Sequence, residues 1–133
     1  ASEATSSPGY GFQVRDGPAT FVMEVAVVAW IALVVAGLLE VVWAFSMKQS
    51  EGFTRLGPSL VTLVAMIASF ALLAWAMRSL PLGTAYTMWT GIGAVGAFIV
   101  GVVFLSEPAN ALRIVAALLI LAGLVLMKLA SPS

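Results

Sequence analysis

The apolar residues of this chain fall into four long runs separated by short polar breaks. The runs span residues 25–47, 58–77, 82–105 and 109–129, and the breaks carry Gly, Pro or charged residues. A helix needs about 20 residues to cross a hydrocarbon core of about 30 Å, and every run reaches that length. Because the breaks are short, consecutive helices are expected to run in opposite directions. The pattern predicts an all-α integral membrane protein with four transmembrane helices.

The chain before the first run has a different composition. Its first 20 residues are polar and rich in Ser, Gly and Pro, which is typical of a flexible tail. This stretch lacks the apolar core of a signal peptide and does not begin with Met, so we expect a processed or added end. We predict a flexible polar tail over residues 1–24, whose presence in the natural protein is left open, and a four-helix domain over residues 25–133.

Composition supports the membrane assignment and removes several kinds of chemistry. Of the 133 residues, 62% are apolar and 9% are charged, whereas a soluble domain has about 45–50% and about 25%. Six Lys and Arg balance six Asp and Glu, so no basic surface for nucleic acid is expected. Cys and His are absent, which excludes disulfides, thiolate or imidazole metal sites and His-based acid–base catalysis. We expect no metal, no cofactor and no enzymatic activity.

The basic residues give almost no signal for orientation in the membrane. With four alternating helices, one side would hold Arg15, Arg78 and Lys128, and the other side would hold Lys48, Arg55 and Arg113. Orientation normally follows an excess of Lys and Arg on the cytoplasmic side, and here the sides are balanced. Two interpretations stay open. Either another feature sets a single orientation, or both orientations insert, which would permit an antiparallel homodimer.

Glu40 is the one acidic residue deep within an apolar run. The other acids lie in the tail, in the breaks or near helix ends: Glu3, Asp16, Glu24, Glu51 and Glu107. An ionised carboxylate at the bilayer centre costs at least about 2.5–3.5 kcal/mol, and such residues usually mark a functional site. We therefore predict that Glu40 binds a proton or a cation. The alternative is an interhelical hydrogen bond from a protonated Glu40.

Several residues could surround this acid or support the helices that carry it. Gly37 and Trp43 lie three residues before and after Glu40, on the same helical surface. Tyr86 and Trp89 form an aromatic pair in the third run, and Ser69 is a polar residue inside the second. A tryptophan face can hold a cation. The alternatives are an interfacial aromatic belt for the rings and a local backbone hydrogen bond for Ser69.

Small residues mark two further positions. Gly91, Gly93 and Gly96 follow the aromatic pair, and glycines at this density permit either a bend in the third helix or close helix packing. Ala122 and Gly123 give the fourth helix a small surface that suits contact with another helix. We predict a bend at the three glycines and a dimer contact at Ala122 and Gly123.

The chain resembles the small multidrug resistance (SMR) transporters over residues 28–130. The matching stretches are GLLEVVWA (37–44), EGFTRLGPS (51–59), LPLGTAYTMWTGIGAVG (80–96) and EP (107–108). The resemblance implies an antiparallel, dual-topology dimer of four-helix subunits. It also implies that one glutamate of each subunit, at the position of Glu40, alternately binds protons and a cationic substrate.

Trp43 indicates a subtype. SMR exporters of bulky quaternary ammonium drugs typically have glycine three residues after the glutamate, whereas the pattern EVVWA (40–44) resembles the guanidinium exporters. That resemblance implies a hydrogen-bond network around the glutamate at Trp43, Ser69, Tyr86 and Trp89. It implies proton-coupled export of guanidinium or substituted guanidinium cations across the bacterial inner membrane. Export of larger lipophilic cations and a non-transport structural subunit remain the alternatives, as does a heterodimer with a paralogue.

Overall fold

A computed structural model describes residues 18–131, which form four α-helices. In chain order they are α1 (Pro18–Gln49), α2 (Leu56–Ala76), α3 (Leu82–Phe104) and α4 (Ala111–Ala130). Each helix is long and apolar enough to cross a membrane. The described residues are therefore those of a multi-pass membrane protein, and the prediction of four membrane-spanning helices is confirmed.

The start of α1 differs from the prediction. The helix begins at Pro18 rather than at residue 25, so residues 18–24, which we assigned to the tail, are helical. Proline favours the first position of a helix because its fixed φ suits the first turn and its missing N–H would have no partner there. The apolar stretch that follows then continues the helix into the first run. The rest of the predicted tail, residues 1–17, lies outside the described residues.

The core of the subunit is built mainly from small side chains. α1 packs along both α2 and α3, so it is the central helix of the described fold. Its buried residues include Ala29, Ala32, Leu33 and Ala36, which have less than one-tenth of their surface exposed. Small residues allow helix backbones to approach closely, which is the main source of attraction between helices in lipid. This close packing fixes the middle of α1, in the turns just before Glu40, against its neighbours.

α4 is attached much more loosely than the other helices. Within residues 18–131 its backbone approaches only α3. Leu124 is its buried residue, and its side chain lies where a side chain on Gly91 would otherwise be. Near the end of α4 the Lys128 ammonium lies 4.1 Å from the centre of the Trp30 ring in α1. Most of the apolar surface of α4 therefore faces away from its own subunit.

Candidate functional site

Glu40 lies in the crevice between α1 and α3, directly against Gly93. A Cβ atom placed on Gly93 would collide with the Cδ and Oε2 atoms of Glu40. The residue as a whole is half-buried. Its Oε2 atom is fully buried and has no hydrogen-bond partner in the described part of the chain. An acceptor that is withdrawn from water without a partner costs free energy, and a proton or a positively charged ligand at this oxygen would remove that cost.

Three glycines set the distance between α1 and α3 around the acid. A Cβ atom on Gly37 would collide with Ile92, and one on Gly96 would collide with the side chain of Val41. Together with the contact between Gly93 and Glu40, these positions bring the two helices close along a little more than one turn. Gly37 was predicted as a neighbour of the acid on α1, and its observed contact is with α3. The glycines place the carboxyl group at the line where the two helices meet.

Ser69 connects all three of the packed helices. Its hydroxyl donates a hydrogen bond to the backbone carbonyl of Ala36 in α1 at 2.7 Å. The same oxygen accepts a hydrogen bond from the indole Nε1 of Trp89 in α3 at 3.0 Å. Ser69 and Trp89 are both buried. This arrangement fixes the ring of Trp89 relative to the turn of α1 that precedes Glu40.

Four aromatic rings form a continuous row beside this hydrogen-bonded group. The ring of Phe70 lies 6.3 Å from Trp43 and 5.6 Å from Trp89, both in edge-to-face geometry. Tyr86 is tilted against Trp89, with ring centres 5.7 Å apart. The Nε1 atom of Trp43 is buried and has no hydrogen-bond partner among the described residues. The row thus presents π faces and one unused N–H donor on three packed helices, of which α1 carries Glu40.

Two of the predicted hydrogen bonds differ from the observed ones. In the network that the resemblance implies, Ser69 and Tyr86 would donate hydrogen bonds to the Glu40 carboxyl group. The Ser69 proton instead goes to the Ala36 carbonyl, because that oxygen faces α2 one turn before Glu40. Tyr86 is 53% exposed and contacts the Trp89 ring. Within the described subunit, Ser69 acts on Trp89 rather than on the acid.

Phe70 is the residue that the sequence analysis missed. It joins Trp43 to Trp89, and it directly follows Ser69. We considered only the polar residues of the second run, although an aromatic residue next to a buried serine was the available signal. Aromatic pairs contribute to packing beyond their buried area, so Phe70 helps to hold both tryptophan rings in place.

The remaining predicted positions have varied surroundings. α3 is one continuous helix through Gly91, Gly93 and Gly96, and each glycine is a point of close contact with α4 or α1. A bend at these residues stays a prediction. Ala122 and Gly123 lie on the exposed side of α4, and a Cβ built on Gly123 would meet nothing from the other described helices within 4 Å. Their predicted dimer contact is likewise untested.

The chemistry of the site follows from its one acidic group. Among residues 18–131, no three acidic side chains come together in a way that could hold a metal ion. A single carboxylate in an apolar crevice can accept a proton, or it can pair with an organic cation whose flat face rests on an indole ring. Both ligands would use the same oxygen atoms, so each would exclude the other.

Comparison with known proteins identifies relatives along most of the chain. The model for the family described as Small Multidrug Resistance protein matches residues 28–120. A protein of Escherichia coli K12 named guanidinium exporter is 59% identical over 103 residues, which cover 77% of this chain and 98% of the relative. A guanidinium exporter of Yersinia pseudotuberculosis is 63% identical over 103 residues, covering 77% of this chain and 99% of the relative. The protein of the same name from Citrobacter freundii is 56% identical over the same length.

These matches include all four stretches on which the resemblance was based. They cover the three helices that carry Glu40, Ser69 and Trp89, and they reach into α4. The relatives are named for the subtype that Trp43 indicated. The chain therefore belongs to the Small Multidrug Resistance family.

Proposed function

We propose that this protein is a proton-coupled antiporter that exports guanidinium and small guanidinyl cations. The observation that carries the proposal is the partnerless carboxyl oxygen of Glu40, buried between α1 and α3. The names of the relatives, guanidinium exporters at 59–63% identity, support the choice of cation.

Guanidinium suits a carboxylate in this setting because of its shape and hydration. It is planar and weakly hydrated, and its N–H groups can bond both oxygens of a carboxylate side by side. The tryptophan rings fixed near the acid offer flat faces for such an ion. Trp43 also occupies space three residues after Glu40, which favours small or partly planar cations over bulky ones.

Competition at Glu40 couples the two ions. When the carboxyl group is protonated it has no charge to hold a cation, and when a cation is bound the oxygens are occupied. If the protein switches between inward-facing and outward-facing states only with a proton or a cation bound, protons that enter down their gradient drive the cation outwards. Glu40 of each subunit would alternate between the two ligands, and the coupling resides in one group.

The functional unit in this proposal is an antiparallel homodimer. Three features support it: Glu40 is only half-buried in the subunit, the outer face of α4 has no contacts within residues 18–131, and the basic residues are balanced between the two ends. Ala122 and Gly123 would contribute to the contact on α4. In an antiparallel pair, two identical subunits can exchange conformations, and this exchange turns an inward-facing dimer into an outward-facing one. The location would be the bacterial inner membrane.

Proteoliposomes give the direct test. Purified protein in sealed vesicles that contain a pH indicator should move protons in one direction when guanidinium is added on one side. Glu40→Gln should abolish this movement because glutamine cannot change charge. Glu24→Gln is a matched control, since it removes an exposed acid from the same helix, and it should leave transport unchanged.

The same preparation separates guanidinium export from the alternatives. Transport currents with guanidinium and none with tetraethylammonium are expected. Currents with tetraethylammonium alone would favour an exporter of larger cations. Guanidinium flux that is independent of the pH gradient would indicate a passive channel. If Glu40→Gln transports protons like the unmodified protein, the proposal is wrong.

A further inference from the structure

A guanidinium group is already bound at the end of α3, and it belongs to the protein itself. The Nη1 atom of Arg113 donates a hydrogen bond to the Pro108 carbonyl at 2.6 Å. Its Nη2 atom lies 3.5 Å from the Oε2 atom of Glu107. The centre of the guanidinium lies 5.2 Å from the centre of the Phe98 ring. Arg113 is thus held by a carboxylate, a carbonyl and an aromatic face.

The Glu107 carboxylate, the Pro108 carbonyl and the Phe98 ring form a receptor for this group, and the backbone positions it independently of Arg113. The N–H of Glu107 donates to the Gly101 carbonyl at 3.0 Å, so the chain folds back onto the last turns of α3. The chain reverses its direction at Ser106, whose φ is 53°, a value that few residues other than glycine adopt. The Glu107 carboxyl group then lies against Gly101, where any Cβ atom would collide with it. The position of the carboxylate is therefore fixed by the end of α3.

The α4 helix places Arg113 separately. Asn110 precedes α4, and its side-chain oxygen accepts a hydrogen bond from the backbone N–H of Arg113 at 3.0 Å. This contact is a helix N-cap, and it involves only the backbone of Arg113. The arginine side chain is 37% exposed and can leave the receptor without uncapping the helix.

A cavity of about 350 Å³ borders the receptor. Its walls include Glu107 and Arg113, and also Val41 and Ala94. Val41 and Ala94 directly follow Glu40 on α1 and Gly93 on α3. Lys48 also lines the cavity, so a cation here meets one acidic and two basic side chains. When Arg113 moves aside, Glu107 and Lys48 balance each other, so the excess positive charge that repels a small cation is removed.

We propose that Glu107, the Pro108 carbonyl and Phe98 form a second binding site for a guanidinium-type cation, and that Arg113 occupies it as a tethered competitor. A free guanidinium ion carries the same planar set of N–H donors as the end of an arginine side chain. It can make the same three contacts. Any part that this second site plays in transport rests on the proposed function, whereas binding of the cation at the site does not.

Because the Arg113 guanidinium is covalently linked to α4, the concentration at which a free ion can displace it can be predicted. A group on a short flexible link acts at an effective concentration in the millimolar range, so free guanidinium displaces Arg113 only at comparable or higher concentration. Removing the arginine side chain should improve guanidinium binding at this site by about tenfold or more. A cation without planar donors, such as tetramethylammonium, should bind no better than sodium.

Carboxyl NMR can measure this binding with the central site disabled. The test uses the full chain with Glu40→Gln in nanodiscs, with glutamate labelled at the carboxyl carbon, and guanidinium chloride as the probe. In Glu40→Gln/Arg113→Ala the Glu107 signal should shift saturably at about 0.1 mM guanidinium, one-tenth of a millimolar effective concentration. The same shift should need about tenfold more in Glu40→Gln alone. Glu40→Gln/Arg55→Ala, which removes an exposed arginine from the α1–α2 connection, should behave like Glu40→Gln.

Two results would overturn the inference. One is a Glu107 signal in the Arg113→Ala protein that guanidinium does not shift, and the other is an equal shift with tetramethylammonium or sodium. If Arg113→Ala proves unstable, the ¹⁵N signals of the Arg113 side chain in Glu40→Gln provide a second measurement. They should move towards solvent-exposed values as guanidinium rises, and unchanged signals would contradict competition. Because Glu40 is replaced throughout, failure here leaves the transport assay above as a separate test of the proposed function.

Discussion

The carboxyl group of Glu40 occupies the space that a side chain on residue 93 would fill. Gly93 belongs to α3 and Glu40 to α1, and any Cβ on residue 93 would collide with the carboxyl group. The acid and the glycine therefore act as one unit at the contact between two helices. A change at the glycine should affect the acid even though glycine has no functional group.

Replacing Gly93 tests this relationship. Gly93→Ala should force the carboxyl group out of its crevice or push α1 and α3 apart, and overpacking of this kind costs about 1–3 kcal/mol. Because small displacements of a binding group are costly, we expect proton-coupled guanidinium transport to fall by about tenfold or more. Gly83→Ala is the control in the same helix, since a Cβ there meets nothing within 4 Å. Equal activity of the two variants would argue against the contact.

The hydrogen bond between Ser69 and Trp89 should contribute to stability. Ser69→Ala would leave the buried indole N–H without a partner, which costs about 1–3 kcal/mol. Trp89→Phe removes this N–H group. In that background, Ser69→Ala should therefore lower the free energy of unfolding by clearly less. Unfolding of all four proteins in mixed detergent micelles gives the coupling energy. Additive effects would mean that the bond contributes nothing to folding.

Trp43 should control which cations are accepted. Trp43→Ala removes an indole that packs on Phe70, with ring centres 6.3 Å apart, and it opens space beside Glu40. We expect weaker guanidinium binding, since contact between a cation and an aromatic ring contributes about 0.5–2 kcal/mol. We also expect new currents with tetraethylammonium. Phe45→Ala, which removes a ring that contacts Phe104 instead, should keep the original selectivity.

Proton concentration should weaken guanidinium binding. Protonation of Glu40 removes the charge that attracts the cation, so the apparent Kd should rise as pH falls. One-for-one competition gives up to about a tenfold rise per pH unit while Glu40 is mostly protonated. Titration calorimetry at several pH values measures the slope. A Kd that stays constant over the pH range in which transport occurs would contradict competition at one group.

Membrane orientation provides a test of the antiparallel arrangement. Reporters fused to the C-terminus, one active outside and one inside the cell, should both give signals. Arg78→Ala removes a basic residue from the end that holds Lys128, so the C-terminus should shift towards the outside. A single orientation in the unmodified protein, unaffected by Arg78→Ala, would be incompatible with a homodimer of inverted subunits.

The sequence was most informative where one strong constraint acts alone. Twenty apolar residues between polar breaks have few alternatives to a membrane-spanning helix, and this is why all the helix ends except the start of α1 were predicted within about two residues. Glu40 stood out for the same reason, because its cost in lipid requires an explanation. The family assignment from residues 37–44 and 80–96 is confirmed by the relatives.

Contacts between helices were harder to predict because they depend on rotation as well as position. Ser69 was predicted to belong to the network around Glu40, and its proton goes to the Ala36 carbonyl rather than to Glu40. Which face of α2 meets α1 is decided by many small packing contacts that no single residue reveals. The start of α1 at Pro18 was missed because a polar, proline-containing segment outweighed the local preference of proline for a first helical turn.

The length of α1 has a consequence for the assembled protein. Its 32 residues extend about 48 Å at about 1.5 Å per residue, whereas the hydrocarbon core is about 30 Å thick. A tilt of about 20° absorbs only a small part of the surplus. The amino-terminal turns would therefore project from the bilayer as a rigid rod. In a pair of inverted subunits one rod would emerge on each face of the membrane, so a single labelling position on it would report from the cytoplasm and the periplasm at the same time.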